Sequence, residues 1–323
     1  MVAGGRSAIE TGEPRPDDVG SDDSESMVDM GIVSLAAGQL SPSAPPPASL
    51  TEQGRLYQDV VFAQPIGYRP LLLDLHLPVA AAAVPVVVCI YGGGFAMGSH
   101  KTDPLGVYLT ERLLNEGIAV ARPQYRHSRE ASFPAPVHDV KAAVRWLRHH
   151  ASPLGIATAR IGAWGSSSGG YLSTMLAVTG DIPELEGAVG FVGPSSAVQT
   201  AVAWSAPVNL GRLPKAPTES PFYKLRADPH DWLLGGPVGE HQDRARNAST
   251  STHVTASARP LMVVHGDADT GIPIDQSEEL VTAYELAGAV IDFTRIPGAG
   301  HFFDDQTRAA QATAGISFLR DHL

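Results

Sequence analysis

A serine, an aspartate and a histidine of this chain have the types and the order needed to activate a hydroxyl group as a nucleophile. Ser167 is the central residue of a G-x-S-x-G motif, and Asp269 and His301 follow it along the chain. A serine hydroxyl is a weak nucleophile at neutral pH until an adjacent base takes its proton. Histidine can be that base, and a carboxylate can orient the imidazole and stabilise its charged form. The three side chains together predict acyl transfer through a serine ester.

Each of these residues follows a predicted β-strand, which explains how residues far apart in sequence would meet. Apolar runs predict strands over residues 160–164, 260–265 and 290–296. The residues after the serine, Tyr171 to Val178, have helical character, so the serine stands at a sharp turn between a strand and a helix. Functional residues of α/β sheets gather at the carboxyl ends of the strands, where we expect the three side chains to meet.

A glycine triplet follows a further predicted strand. The β-branched run from Val84 to Tyr91 predicts a strand that is buried on both faces. Residues 92–94, directly after it, are all glycine. Because glycine has no side chain, the backbone N–H groups of such a loop can face a ligand oxygen unobstructed. A loop that binds an oxygen and a plain tight turn are both consistent with the triplet alone.

The remaining elements predict an α/β protein with a mostly parallel central sheet. Segments 57–63 and 71–77 have strand character on either side of a Pro- and Gly-containing turn, which predicts an antiparallel hairpin. Strands then alternate with helices, and this alternation is typical of a sheet that helices cover on both faces. Further strands are predicted over 118–125 and 198–205, and helices over 106–116, 137–150, 274–286 and 306–323.

The first 50 residues differ in composition from the rest of the chain. They contain no aromatic residue, and eight acidic side chains outnumber two basic ones. Such a segment cannot bury enough apolar surface to offset the entropy of ordering, so we predict a disordered, Pro-rich N-terminal extension. An interaction tail and an over-long gene start before Met27 or Met30 are the alternative interpretations. We expect a catalytic domain over residues 51–323, in which the proline-rich segment 207–258 is a cap-like insertion.

Composition excludes several classes of function. The net charge of −11 argues against a nucleic-acid surface. The single cysteine, Cys89, excludes an intrachain disulfide, and its apolar surroundings predict a buried strand residue. The uncharged run 77–99 contains prolines and the glycine triplet, which argue against a membrane span. With no signal peptide evident, we expect a cytoplasmic protein with no membrane partner. We predict neither a metal site nor a cofactor.

These motifs taken together resemble a known family. From about Leu56 to Leu323 the chain is similar to α/β-hydrolase-fold carboxylesterases with an H-G-G-G-type loop, in the neighbourhood of hormone-sensitive-lipase-like and bacterial feruloyl-esterase-like enzymes. The matching pieces are Y-G-G-G-F at 91–95, F-P-A-P-V-H-D-V-K-A-A-V-R-W-L at 133–147, R-I-G-A-W-G-S-S-S-G-G at 160–170, H-G-D-A-D-T-G-I-P at 265–273 and G-A-G-H-F-F at 298–303.

The resemblance implies a role for each residue of the catalytic triad. Ser167 would be the nucleophile, His301 the general base and Asp269 the acid that holds the imidazole. Asp267 competes for the last role, but the resembling pattern H-G-x-x-D-x-x-V-P has its acid at the later position, which is Asp269. His265, at the end of its strand, is predicted to be structural.

The resemblance also implies an oxyanion hole, and this chain departs from the family pattern at one position of the loop that forms it. The backbone N–H groups of Gly93, Gly94 and Ser168 would bind the charged oxygen of the tetrahedral intermediate. The loop histidine of the family is Tyr91 in this chain, which keeps the glycines but changes the hydrogen bonds that support the loop. Aromatic side chains near these strand ends are candidates to line the substrate pocket, with Tyr91, Phe95 and Trp204 as the predicted substrate-binding residues.

The sequence leaves the substrate open. An ester of small or medium size is the leading prediction, reached through an acyl-enzyme with water as the second acceptor. An arylformamidase-like amidase, a lactonase or an acyl transferase would use the same triad, because a fold does not fix a reaction. A hydrolase-fold binding protein without catalysis is the alternative from another class, and the presence of all three side chains argues against it. The oligomeric state is not predicted.

Overall fold

The computed structural model describes residue 1 and residues 39–40, 45–180, 182–214 and 228–323. Most of the predicted N-terminal extension, residues 2–38 and 41–44, lies outside the described residues, as does part of the predicted insertion, residues 215–227. None of the helices in the described ranges is both long and apolar enough to cross a membrane.

The described strands form one mixed sheet. Its strands are β1 (Gln39–Leu40), β2 (Ser49–Thr51), β3 (Gly54–Pro65), β4 (Leu71–Pro78), β5 (Val84–Ile90), β6 (Ala119–Pro123), β7 (Ile156–Ser166), β8 (Thr200–Trp204), β9 (Leu261–Gly266) and β10 (Ile291–Ile296). The main path runs β1-β3-β4-β6-β5-β7-β8-β9-β10, and β2 pairs with β3. From β6 to β10 every pairing is parallel, whereas β3 and β4 form the predicted antiparallel hairpin.

Helices connect the parallel strands and cover both faces of the sheet. They are α1 (Pro104–Asn115), α2 (Ala135–His149), α3 (Ala151–Leu154), α4 (Ser168–Val178), α5 (Pro229–Leu234), α6 (Gln242–Asn247), α7 (Asp275–Ala287) and α8 (Asp305–His322). Two buried apolar clusters result, one on the side of α2 and α4 and one on the side of α1 and α8. The predicted α/β class, with a mostly parallel sheet between two helical layers, is confirmed.

Local sequence explains where these elements form. β5, β6 and β8 are buried along almost their whole length, as their continuous apolar runs predict. α4 is buried at every position, and its sequence contains no charged residue. α1 begins after Asp103, whose side chain accepts a hydrogen bond from the N–H of Gly106 at 2.6 Å.

One strand is longer than its sequence indicates. β7 begins at Ile156, four residues before the predicted start, and its first pairing to β5 is separated from the rest by a register shift. Residues 158–160 of this extension are exposed. An exposed segment needs no apolar residues, so its sequence carries no strand signal.

A buried ion pair holds the segment after β6 to helix α2. The Arg126 guanidinium donates to both carboxylate oxygens of Asp139 at 2.8–3.1 Å, and the Arg126 backbone N–H donates to the same carboxylate at 2.8 Å. The Asp139 side chain is fully buried. The segment that follows Pro123 is therefore fixed against the core, although it contains neither helix nor strand until Ala135.

Breaking this pair should destabilise the protein strongly. In Arg126→Met the Asp139 charge would be buried without its partner, which typically costs about 3–5 kcal/mol. Urea denaturation would measure this loss in the free energy of unfolding. Arg320, which pairs with Glu116 on the surface, gives the control: Arg320→Met should change that free energy by less than about 1 kcal/mol. A similar effect of both substitutions would contradict a structural role for the Arg126–Asp139 pair.

Candidate active site

Ser167 stands at a strained turn between β7 and α4. Its φ of 54° and ψ of −126° lie outside the regions that non-glycine residues usually adopt. Its backbone N–H donates to the carbonyl of Trp204 at 2.8 Å, and its carbonyl accepts from the N–H of Tyr171 at 2.9 Å. The neighbouring strand and the helix thus fix the backbone on either side. Such strain persists only where the surroundings over-determine it, and it is typical of functional sites.

Gly169, two residues after Ser167, allows helix α4 to approach the sheet closely. A Cβ atom on Gly169 would overlap the carbonyl oxygen of Ile90, the last residue of β5. A Cβ atom on Gly92 would come within 3.4 Å of the Ser167 Cβ. The glycine loop after β5 therefore lies directly beside Ser167, as the meeting of strand ends predicts.

The glycine loop has an unusual backbone. Gly93, Gly94 and Phe95 have successive φ values of 136°, 57° and 61°. Among the described residues, none accepts a hydrogen bond from the N–H of Gly93, Gly94 or Ser168. Ser168 is the first residue of α4, where backbone N–H groups have no partner in the helix and the helix dipole favours negative charge. These N–H groups thus remain available to an anionic oxygen.

His301 and Asp269 are joined by a short hydrogen bond. His301 Nδ1 lies 2.6 Å from Asp269 Oδ2. The other carboxylate oxygen accepts from the backbone N–H groups of Gly271 and Ile272, both at 2.9 Å. Asp269 is 6% exposed, whereas the His301 side chain is 23% exposed and remains accessible from outside.

A second histidine supports the same carboxylate. His265 Nε2 donates to the carbonyl of Ile272 at 2.8 Å and lies 3.4 Å from Asp269 Oδ2. Because Nε2 carries the proton, Nδ1 accepts from the Ser277 hydroxyl at 2.6 Å. Burial disfavours the charged form of Asp269, but the hydrogen bonds from His265 and His301 outweigh it and hold the Asp269 pKa well below its usual value. Asp269 is therefore ionised at neutral pH.

Asp267 has a different set of partners. Its carboxylate accepts from the N–H of Gly298 at 2.7 Å and from Arg295 Nε at 3.1 Å. Gly298 belongs to the loop that carries His301, so Asp267 ties that loop to the end of β9. The hydrogen bond of Gly298 and the Arg295 guanidinium lower the Asp267 pKa. The carboxylate that contacts His301 is that of Asp269.

The end of β8 connects Ser167 to His301. Trp204 accepts the hydrogen bond of the Ser167 backbone, and the hydroxyl of the next residue, Ser205, donates to the His301 carbonyl at 3.4 Å. The Ser167 hydroxyl makes no hydrogen bond to His301 among the described residues. Catalytic hydrogen bonds are often long in free enzymes and shorten when substrate binds. The structure thus joins Asp269 to His301 by a direct hydrogen bond, whereas Ser167 and His301 are held by the adjacent residues Trp204 and Ser205.

The three predicted substrate-binding side chains are all buried. Tyr91, Phe95 and Trp204 are 3%, 0% and 4% exposed. The Tyr91 hydroxyl lies 3.0 Å from His127 Nε2. The Phe95 ring packs edge-on against Tyr171, and Trp204 lies in the apolar cluster on the side of α1 and α8. Direct contact between these side chains and a substrate stays a prediction.

One cluster of metal-ligand types occurs elsewhere in the described residues. Ligand atoms of Asp59, Asp74 and His100 lie within 4.8 Å of one another. The Lys101 ammonium is 2.9 Å from Asp59 Oδ1 and 2.6 Å from Asp74 Oδ1. A cation of the chain itself therefore already neutralises both carboxylates, and we assign no metal to this cluster.

The chain is similar to several known proteins. The family model described as BD-FAE matches residues 73–284. The probable carboxylic ester hydrolase LipM of Mycobacterium tuberculosis (strain ATCC 25618 / H37Rv) is 27% identical over 81% of this chain and 61% of LipM. Esterase LipC of the same organism is 28% identical over 68% of this chain and 53% of LipC. The matched region is thus little more than half the length of these curated relatives.

Solved structures establish the fold. A truncated form of carbohydrate esterase from gut microbiota has a TM-score of 0.72 and 27% identity, covering 84% of this chain and 99% of the other. The propionate-bound esterase Est2 of Thermogutta terrifontis has a TM-score of 0.64 at 22% identity, covering 86% and 96%. The predicted α/β-hydrolase fold is confirmed.

Exchanging each aspartate for asparagine separates their roles. Asp269→Asn should lower kcat for p-nitrophenyl acetate by about 10⁴-fold, because an amide neither holds the required imidazole tautomer nor stabilises its charge. Asp267→Asn keeps an oxygen that can accept from Gly298 and should leave kcat almost unchanged. Steady-state kinetics of the two purified variants would decide. Equal losses in both would refute the assignment of Asp269 as the acid.

Proposed function

Because this chain belongs to the BD-FAE family, we propose that it is a serine hydrolase that cleaves carboxylic esters of small or medium substrates. Its curated relatives are named as esterases, and their similarity covers 68–81% of this chain. The observation that carries the proposal is the 2.6 Å hydrogen bond between His301 and Asp269, made at the edge of the sheet where the strained Ser167 turn lies.

The arrangement of His301 suits the first half of the reaction. Since Nδ1 donates its proton to Asp269, the other ring nitrogen is free to accept the proton of the Ser167 hydroxyl. The serine oxygen then attacks the ester carbonyl, and the ionised Asp269 stabilises the imidazolium that forms. When the tetrahedral intermediate collapses, His301 returns the proton to the leaving alcohol, and the acyl group remains on Ser167.

The N–H groups of Gly93, Gly94 and Ser168 suit the charge that develops in this step. The carbonyl oxygen of the ester becomes an oxyanion, and preorganised N–H donors stabilise it more than they stabilise the ground state. Removing one such donor typically costs about 3–4 kcal/mol of transition-state stabilisation. We assign these three groups as the oxyanion hole.

Water completes the cycle. His301 takes a proton from a water molecule, and the hydroxide attacks the acyl carbonyl in the same oxyanion hole. Collapse releases the carboxylic acid and returns the proton through His301 to Ser167. Bonds and protons balance with the chain, the ester and water alone.

The insertion is proposed to shape the substrate pocket. Its helix α5 contacts the glycine loop, because the His230 ring lies edge-on to Phe95 with ring centroids 6.1 Å apart. The backbone of the same helix accepts a hydrogen bond from Phe133, where the Leu233 carbonyl is 2.7 Å from the Phe133 nitrogen. These contacts support a cap role for residues 207–258 around a catalytic domain that spans residues 51–323.

A substrate panel would identify the acyl donor and the acyl acceptor of the proposed reaction. An amidase, a lactonase or an acyl transferase would use the same side chains. Rates on matched p-nitrophenyl esters, anilides and lactones of increasing acyl length would rank these activities. A cytoplasmic location is likewise a proposal, which fractionation of the native host would test.

A fluorophosphonate probe tests the nucleophile directly. We expect it to label Ser167 alone, as mass spectrometry of tryptic peptides would show, because only an activated serine displaces the fluoride. Ser167→Ala should lose labelling and reduce kcat for p-nitrophenyl acetate by at least about 10⁴-fold. Ser166→Ala, at the neighbouring half-buried position, is the matched control and should keep both. A folded wild-type protein that neither labels nor hydrolyses any ester would overturn the proposed function.

A further inference from the structure

Two stacked tyrosines join the start of the glycine loop to the segment after β6. The rings of Tyr91 and Tyr125 lie 4.4 Å apart and nearly parallel. Each hydroxyl donates to the backbone carbonyl of the other residue, Tyr91 to Tyr125 at 3.3 Å and Tyr125 to Tyr91 at 3.2 Å. This tyrosine clasp, formed by Tyr91 and Tyr125, fixes the residue immediately before the glycine triplet.

The Tyr125 hydroxyl reaches the other side of the oxyanion hole as well. It lies 3.3 Å from Ser168 Oγ. A phenol has one proton, which here goes to the Tyr91 carbonyl, so the Ser168 hydroxyl must donate to the Tyr125 oxygen. Tyr125 and Ser168 are 0% and 1% exposed, so water does not compete for these bonds. One buried oxygen therefore connects the two chain segments that carry the oxyanion donors.

We propose that Tyr125 is a positioning residue that sets the distance between the glycine-loop donors and the Ser168 N–H. The proposal rests on the proposed serine-hydrolase function and deepens it. Tyr125 is fully buried, so its effect would act through Tyr91 and Ser168 and not by contact with the substrate.

The conformation of the loop explains why it needs such support. Three successive residues, 93–95, have positive φ values, and one of them is phenylalanine. Backbone of this kind persists only when its surroundings hold it. The clasp holds one end of the loop, and the Ser128 N–H, which donates to the Phe95 carbonyl at 2.7 Å, holds the other. Both tethers come from residues 125–128, between which the buried Arg126–Asp139 pair anchors the segment.

The expected effect is on rate more than on substrate affinity. Oxyanion donors must lie about 2.7–3.1 Å from the charged oxygen, and a misplacement of about 1 Å can cost roughly 10²-fold in rate. Tyr125→Phe keeps the ring stack but removes the shared oxygen. The Tyr91 carbonyl and the Ser168 hydroxyl then lose their common partner, and the two halves of the hole are no longer tied together.

The test measures hydrolysis of p-nitrophenyl acetate and inhibition by 2,2,2-trifluoroacetophenone, whose adduct with serine places an oxyanion in the hole. For Tyr125→Phe we expect kcat to fall by about 10- to 100-fold while KM changes less than about threefold. The inhibition constant of the ketone should rise by the same factor as kcat/KM falls. A purely structural role would not produce this parallel change.

Tyr284 supplies a matched control. Its buried hydroxyl donates to the Arg259 carbonyl at 3.2 Å, the same length as the bond from Tyr125 to Tyr91, and it lies away from the site on α7. Tyr284→Phe should lower the melting temperature about as much as Tyr125→Phe but leave kcat and the ketone inhibition constant unchanged. Equal kinetic effects of the two substitutions, or none from Tyr125→Phe, would overturn the positioning role.

Ser168→Ala provides a second route if Tyr125→Phe does not fold. It removes the hydroxyl that bonds to Tyr125 and keeps the backbone N–H, so the proposal expects lower kcat, unchanged KM and weaker ketone inhibition. In the double variant the two losses should be less than multiplicative, because both substitutions break one link. Wild-type kinetics in Ser168→Ala would refute the link. Failure of the wild-type protein to hydrolyse esters or label at Ser167 would instead refute the proposed function, so the two failures are distinguishable.

Discussion

The close contact between the start of helix α4 and the end of strand β5 is the constraint on which the rest of the site depends. No side chain fits at Gly169, because the carbonyl oxygen of Ile90 occupies the space. The turn before the helix has the strained backbone of Ser167. The contact also brings the first N–H groups of the helix beside the glycine loop that continues from Ile90. The proposed nucleophile and the proposed oxyanion donors thus lie together at one packing contact.

Because β8, β9 and β10 run parallel, the residues that follow them, Ser205, Asp269 and His301, lie at the same edge of the sheet. β8 accepts the Ser167 backbone hydrogen bond and, through Ser205, contacts the His301 carbonyl. β9 ends beside the turn that carries Asp269, and β10 precedes the loop of His301. Ser167 and Asp269 stand on short turns after the buried ends of β7 and β9, whereas no residue of β10, which precedes His301, is fully buried. The position of His301 is set instead by its hydrogen bond to Asp269 and by the bond of its carbonyl to Ser205.

The sequence alone predicted the features that depend on local residue patterns or on the order of motifs along the chain. The strands, the hairpin, the α/β-hydrolase fold and the placement of Asp269 with His301 follow from apolar runs and short motifs. The contacts of His265 with Asp269 and of Asp139 with Arg126 did not follow, because the sequence does not show which side chains face each other once the chain turns. The face on which Trp204 lies was also hidden. β8 is buried on both sides, so the alternation that assigns side chains to a face is absent. The disordered extension stays a prediction outside the described residues.

The contact between helix α5 and Phe95 would constrain how the substrate range can change under the proposed function. The Phe95 ring, directly after the glycine triplet, packs against His230 of the proposed insertion. A mutation that reshapes the insertion to admit a new substrate would therefore also press on the proposed oxyanion loop. Selectivity and turnover would then be mechanically coupled. Adaptation to a new ester would require paired changes, one in the insertion and one compensating beneath the loop.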